Sequence, residues 1–202
     1  MRLSELHRAA TAGAAFAMLA AASPALADEV SDTVAAVAAA VERYKDVDVA
    51  LAEGYLRDPA DHCFTAEMAG MPADWGVMGI HFFRPDLLGV TATDPRVDGN
   101  GLHLDWDQPS ILIYEPQADG SLELVAVENL VFEAAWAAAG NTTLPTLAGR
   151  TWDSMADDPA TELDEAHGFA PHHDQHVWVF RENPAGPLEP FNANATCEHH
   201  RH

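Results

Sequence analysis

The sequence predicts an α+β domain in which an N-terminal helix packs on a mainly antiparallel sheet with long acidic loops. Apolar residues recur at helical spacing over 28–53, and a hairpin pattern covers 111–132. Two further apolar runs, 77–83 and 175–181, have the length of strands. A helix beside a group of strands is typical of α+β domains. If the loops contain further strands, the alternative is a small β-barrel or sandwich.

The pattern of residues 1–27 predicts a secretory signal peptide. Arg2 and Arg8 make its start basic, and the apolar run from Thr11 to Ala22 is too short to span a bilayer comfortably. Ala25-Leu26-Ala27 fits a small-x-small cleavage site. A membrane anchor is the weaker alternative, because no second apolar run follows. We therefore expect a secreted or periplasmic protein.

After cleavage we expect one globular domain over 28–197 and a flexible histidine-rich tail over 198–202. The whole chain of 202 residues has 32 acidic and 10 basic residues, and its formal net charge is −22. Such a surface repels nucleic acid and anionic membranes, so we expect neither as a partner. A metal ion or a small molecule stays open as a partner, and the sequence does not indicate an oligomeric state.

The two cysteines, Cys63 and Cys197, predict one disulfide bond. Export permits such a bond, and one cysteine lies early in the chain while the other lies near its end. In the chain-entropy model, closing so long a loop contributes about 4–5 kcal/mol. The alternatives are two soft metal ligands or two free thiols.

The helical pattern at the start of the mature chain has Ser31 as a capping residue and Val34, Val37 and Val41 on one face. The segment after residue 45 either continues this helix or forms a second short one, and Gly54 ends it. The strand predicted over 77–83 follows, and it is apolar apart from His81. His81 is therefore a leading candidate for function, although a lone histidine in such a segment is often a core residue with satisfied hydrogen bonds.

The hairpin is predicted with strands over 110–116 and 121–131. Asp119-Gly120 favours a two-residue turn, which would place Ile111 opposite Glu128 on the neighbouring strand. Glu115 and Glu128 then share a face but stand about 13 Å apart, which is too far for a carboxylate pair that shares a proton. Glu128 is the stronger candidate, because it lies in the middle of an apolar strand.

A metal site is the leading functional hypothesis. The strand predicted over 175–181 contributes His176, which could meet His81 and Glu128 from other strands, with Glu115 as a further ligand. Imidazoles and carboxylates from different strands form a common ligand set for first-row metals. The candidate ions are copper, zinc and iron.

Two other functions stay open, and the sequence does not decide whether the protein is an enzyme. One is a non-catalytic module that binds a small ligand in an aromatic pocket lined by Trp75, Phe83, Tyr114 and Trp178. The same aromatic residues more often fill a core. The other is a metal-free enzyme with Glu128 or His81 as general base.

Several motifs together resemble an uncharacterised family of small secreted bacterial proteins. They are MGIHFFRP (78–85), LIYEP (112–116), LELVAVE (122–128) and HVWVFRENPAGPLEPFN (176–192). The resemblance covers most of the mature chain and implies that these residues belong together, but it brings no activity. Members of that family often have an aromatic residue after the Val-Glu pair, where this chain has Asn129.

Overall fold

The protein has an α+β fold, which confirms the predicted class. The structure is a computed structural model that describes residues 24–201. In this part the helices are α1 (Pro24–Val41), α2 (Val47–Ala52), α3 (Pro85–Leu88) and α4 (Glu133–Ala138), with 3₁₀ turns at Glu42–Lys45 and Ala73–Trp75. The strands are β1 (Leu56–Arg57), β2 (Cys63–Thr65), β3 (Val77–Phe83), β4 (Val90–Ala92), β5 (Asp98–Gly99), β6 (Ile111–Pro116), β7 (Leu122–Phe132), β8 (Thr146–Leu147), β9 (Arg150–Thr151), β10 (Asp153–Met155) and β11 (His172–Trp178).

Residues 1–23, which include most of the predicted signal peptide, lie outside the described residues, and so does His202. Helix α1 begins at Pro24, before the predicted cleavage site. Within residues 24–201, no helix is long and apolar enough to cross a membrane. The helical region breaks near Asp46, which caps α2 by accepting a hydrogen bond from the backbone N–H of Asp48 at 3.1 Å. The second of the two predicted options, a separate short helix, is therefore the one that forms.

The main sheet is antiparallel and does not close into a barrel. Its strands follow the order β1-β3-β6-β7-β11-β10, and β2 also pairs with β3. Strands β3, β6 and β7 agree with their predicted bounds to within a residue. Strand β11 runs from His172 to Trp178 instead of 175–181, so the predicted bounds are three residues too late. The pairing stops at Trp178 because the next two N–H groups, of Val179 and Phe180, both bond to the Val125 carbonyl.

The two faces of this sheet have different covers. Helix α1 packs on one face, here called the helix face, where Val37 and Val41 contact a buried cluster that includes Leu112 and Val127. The opposite face, here called the loop face, is covered by connecting segments. Its buried cluster contains Phe83, Ile111, Ile113, Leu130 and Trp178 from the strands, together with Leu88, Val97 and Phe169 from the connections.

The hairpin of β6 and β7 confirms the predicted register of Glu128, although the predicted turn is wrong. Gln117 pairs with Ser121 through a hydrogen bond of 2.9 Å, so the loop has three residues and ends at Gly120 with φ +87°. A bulge at Val125 then shifts the pairing by one residue. The two deviations cancel, and Ile111 faces Glu128 as predicted.

The predicted disulfide between Cys63 and Cys197 is present, with Cα atoms 5.7 Å apart. It ties the end of the chain to β2, across 134 residues of sequence. Neither cysteine is therefore a thiolate ligand. The residues after the bridge include His200, whose Nε2 lies 3.4 Å from Oδ1 of Asp61. A flexible tail stays a prediction.

Candidate metal centre

Strand β11 presents three polar side chains to the loop face. His172, Asp174 and His176 occupy alternate positions, and alternate side chains of a strand share a face. All three are fully buried. Their partners on β7 are Phe132, Leu130 and Glu128, in that order. The only polar partner, Glu128, stands directly opposite His176, and side chains in such a cross-strand pair are in contact range.

His81 reaches the same place from β3, on the far side of β6. Its backbone pairs with Ile113, so its side chain shares the loop face with Ile111 and Ile113. Nε2 of His81 lies 3.5 Å from Oε2 of Glu128, and Nε2 of His176 lies 3.5 Å from the same oxygen. The structure thus brings together three of the four predicted ligands, with the carboxylate between the two imidazoles.

A fourth histidine, His167, comes from the connection between β10 and β11. Its ring centre lies 5.0 Å from that of His172 and 5.5 Å from that of His81. Arg96 holds this connection in place, because its guanidinium donates to Oδ1 of Asp164 at 2.8 Å and to the carbonyl of Phe169 at 3.2 Å. The backbone of the connection is therefore fixed on both sides of His167.

We call the six residues together the buried centre: His81, Glu128, His167, His172, Asp174 and His176. None is more than 5% exposed. One ligand atom from each of His81, Glu128 and His176 lies within 4.8 Å of the others, and the same holds for Glu128, His167, His172 and Asp174. The buried centre therefore has donor atoms close enough to hold a metal ion.

Most polar atoms of the buried centre lack a hydrogen-bond partner in the described part of the chain. This holds for every side-chain nitrogen and oxygen of Glu128, His167, Asp174 and His176, and for Nε2 of His81 and of His172. Each unsatisfied buried polar group costs about 1–3 kcal/mol. So many in one place are unusual in a folded protein, and a bound ligand would satisfy them.

The histidines are poised as neutral ligands. Burial lowers the pKa of His81 to about 4 and that of His172 to about 4, and it lowers the pKa values of His167 and His176 well below their ordinary value. Nδ1 of His172 donates to the carbonyl of Ala170 at 2.9 Å, so the lone pair is on Nε2. A backbone hydrogen bond on one imidazole nitrogen commonly orients the other toward a metal.

The carboxylates respond to burial in the opposite sense. Burial raises the pKa of Glu128 to about 8 and that of Asp174 well above its ordinary value. Without an ion, burial therefore favours the protonated acids and the neutral imidazoles in the buried centre. A bound cation would supply the positive charge that the ionised carboxylates need.

The other predicted site residues lie apart from the buried centre. Glu115 is paired with Arg181, with 2.8 Å between an oxygen and a guanidinium nitrogen. Among the predicted pocket residues, Tyr114 lies on the helix face and Phe83 and Trp178 lie on the loop face. Trp75 is 49% exposed and borders a surface cavity of about 360 Å³. The structure therefore does not bring these four aromatic residues into one pocket.

Sequence reasoning missed His167, His172 and Asp174. For two of them a partial signal existed, because the segment HHDQH (172–176) has residues that can ligate a metal at alternate positions, but all five residues are polar and nothing marked the segment as a strand. The predicted strand began at residue 175 and left this pattern in a loop. His167 had no such signal, since only the folding of its connection brings it over the sheet.

Comparison with known proteins gives no further guide to the function. No protein-family model, no curated protein and no solved structure matches the chain. The resemblance to a family of small secreted bacterial proteins therefore stays a prediction. The buried centre is therefore the feature of the molecule that indicates its function.

Proposed function

We propose that this protein binds a first-row transition metal ion at the buried centre, through His81, Glu128 and His176. The observation that carries the proposal is the set of unpaired polar atoms that converge in an otherwise apolar interior. Two histidines and one carboxylate are a recurrent ligand set for such ions. The remaining residues, His167, His172 and Asp174, supply further ligands within reach.

The donor chemistry narrows the choice of ion. Imidazole nitrogens favour zinc, iron and copper(II) over calcium and magnesium, which prefer oxygen ligands. Both cysteines are held in the disulfide, so the chain offers no thiolate at this centre. Copper(I) is thus the least suitable of the candidate ions, because it prefers soft sulfur ligands.

The depth of the centre limits what the ion could do. Glu128, His172 and His176 have no exposed surface. Any reactant that reaches the ion has to be as small as water or dioxygen. We therefore propose a metal-binding role in which any chemistry takes place on a small molecule, and the protein side chains act as ligands.

We also propose that the protein acts outside the cytoplasm. The support is the signal-peptide pattern of residues 1–27 together with the disulfide, a bond that persists in oxidising compartments.

Metal analysis of the untagged protein tests the metal proposal. After incubation with zinc, iron(II) or copper(II) and removal of free ions, we expect at least one bound ion per chain in the wild type. We expect fewer bound ions per chain in His176→Ala. His173→Gln is the matched control, because His173 neighbours Asp174 on the same strand but lies on the helix face, bonded to Ser154 at 2.9 Å. A wild type that retains none of the three ions and melts at an unchanged temperature would rule the proposal out.

The histidines near the C-terminus call for a second control, since they could bind metal loosely. The variant His199→Ala/His200→Ala should keep the tightly bound ion. If this variant instead loses all metal while His176→Ala retains it, the ion is bound at the tail.

A further inference from the structure

The donors of the buried centre form two sets that overlap in one residue. The first set is His81, Glu128 and His176, and the second is Glu128, His167, His172 and Asp174. Within each set the ligand atoms lie within 4.8 Å of one another. Atoms bound to one ion at about 2.0–2.2 Å cannot be more than about 4.4 Å apart, so each set has nearly the size of one coordination sphere.

Each set also has enough ligands to hold one metal ion by itself. The first offers two imidazoles and one carboxylate, and the second offers two imidazoles and two carboxylates. Three or four protein ligands are the usual number for a bound transition metal. One tetrahedral ion would use four donors and leave other fully buried side chains of the centre without a partner.

Glu128 is suited to join the two sets. Its Oε2 lies 3.5 Å from both His81 and His176, and its Oε1 is buried and likewise has no hydrogen-bond partner in the described chain. A carboxylate has two oxygens and can therefore serve two ions at once. Glu128 is also the one residue that belongs to both of these ligand sets, so its carboxylate is within reach of both positions.

We propose that the buried centre holds two transition metal ions bridged by Glu128, with His81 and His176 on one ion and His167, His172 and Asp174 on the other. This inference rests on the proposed metal-binding function. Two divalent ions exceed the charge of the two carboxylates, so the pair also takes an anion, of which hydroxide is the smallest. Because Glu128, His172 and His176 have no exposed surface, the pair would act only on a molecule as small as water or dioxygen.

The number of bound ions and their magnetic coupling test the inference. The untagged protein is saturated with copper(II), freed of loose ions and examined by metal analysis and electron paramagnetic resonance. We expect two ions per chain and a spin signal well below that of two isolated ions, because a carboxylate bridge couples them. One ion per chain at saturation, or two ions with a full uncoupled signal, would overturn the bridged pair.

Variants of each set locate the two ions. His81→Gln and His167→Gln should each bind one ion and give the full signal of an isolated copper(II) ion, while the control His173→Gln keeps two coupled ions. If His167→Gln leaves the wild-type content and signal unchanged, the second position does not exist. A wild type with no bound ion would overturn the proposed function as well, so the two failures are distinguishable. The wild-type measurement decides the matter even if a variant does not fold.

Discussion

Both faces of the central sheet are buried, but their buried polar side chains differ in hydrogen bonding. On the helix face the buried hydroxyls are satisfied: Tyr114 donates to the carbonyl of Tyr44 at 2.7 Å, and Tyr55 donates to the carbonyl of Pro109 at 2.6 Å. On the loop face, the side-chain oxygens and nitrogens of Glu128, Asp174 and His176 have no hydrogen-bond partner among residues 24–201. Burial alone does not account for this difference, because both faces are buried and the buried hydroxyls of the helix face still form hydrogen bonds. The helix face leaves little unsatisfied, for example Oε1 of Gln175, whereas the loop face is complete only with a ligand.

The largest expected difference between the faces is the response to metal. Adding zinc to the metal-free protein at about 1,000 times the dissociation constant should raise the free energy of unfolding by about 4 kcal/mol. Urea denaturation with and without zinc measures this gain. In Val127→Ala, a helix-face variant one residue from Glu128, the protein should be less stable but gain the same amount from zinc. A zinc response that is absent in both proteins would remove the distinction between the faces.

Replacing Glu128 should stabilise the metal-free protein, whereas most substitutions of buried residues destabilise a protein. Without metal, Glu128→Leu should stabilise the protein by about 1–3 kcal/mol, because a buried carboxyl group with no partner is removed. The same variant should gain much less from zinc than the wild type, because Glu128 belongs to both ligand sets. Calorimetry of the metal-free and zinc-treated variant checks both parts. Destabilisation without metal, combined with a normal zinc response, would show that Glu128 is an ordinary core residue.

The stability of the metal-free protein should be highest near pH 6.5. Folding raises the pKa of Glu128 from 4.5 to about 8, so this group costs stability as pH rises through that interval. Folding lowers the pKa values of the four histidines of the buried centre, to about 4 for His81 and His172, and these four outnumber the two acids whose pKa values it raises, so stability also falls as pH falls below 6.5. From pH 6.5 to pH 8 we expect a loss of about 2 kcal/mol attributable to Glu128.

Urea denaturation at several pH values measures this profile, and Glu128→Leu is its control. The alkaline loss should be smaller in the variant, because the raised pKa is absent. The zinc-bound wild type should also lose less between pH 6.5 and pH 8, because its carboxylates are already ionised. An alkaline loss of equal size in wild type and variant would mean that other groups cause it.

The smallest expected effect is on the helix face. Tyr114→Phe leaves the carbonyl of Tyr44 without its partner and should cost about 1 kcal/mol. The cost should be the same with and without zinc, because Tyr114 faces away from the buried centre. Thermal melts in both conditions check this. A cost that changes with zinc would show that the two faces are coupled.

Much of the fold could be predicted, because local patterns specify it. The apolar runs predicted β3, β6 and β7 almost residue for residue, and the two cysteines predicted the disulfide. The turn was predicted one residue too short, since a bulge at Val125 leaves no clear mark in an apolar strand. That bulge also places Leu124 on the helix face.

The buried centre was only half predictable. His81, Glu128 and His176 stood out as polar residues in apolar strands, which made them candidates. His172 and Asp174 lie in a polar segment that looks like a loop, and it forms a strand because β7 pairs with it along its whole length. His167 depends on contacts far away in sequence, such as Arg96 with Asp164, and no local pattern could reveal them.

Anomalous diffraction from crystals of the untagged protein, grown with zinc and measured at the zinc absorption edge, tests the central claim most directly. We expect a strong peak beside Oε2 of Glu128, within about 2.0–2.2 Å of Nε2 of both His81 and His176. A second peak among His167, His172 and Asp174 would add the bridged pair. Density that leaves the buried centre without a zinc peak, with zinc found only at surface or tail histidines, would contradict the claim.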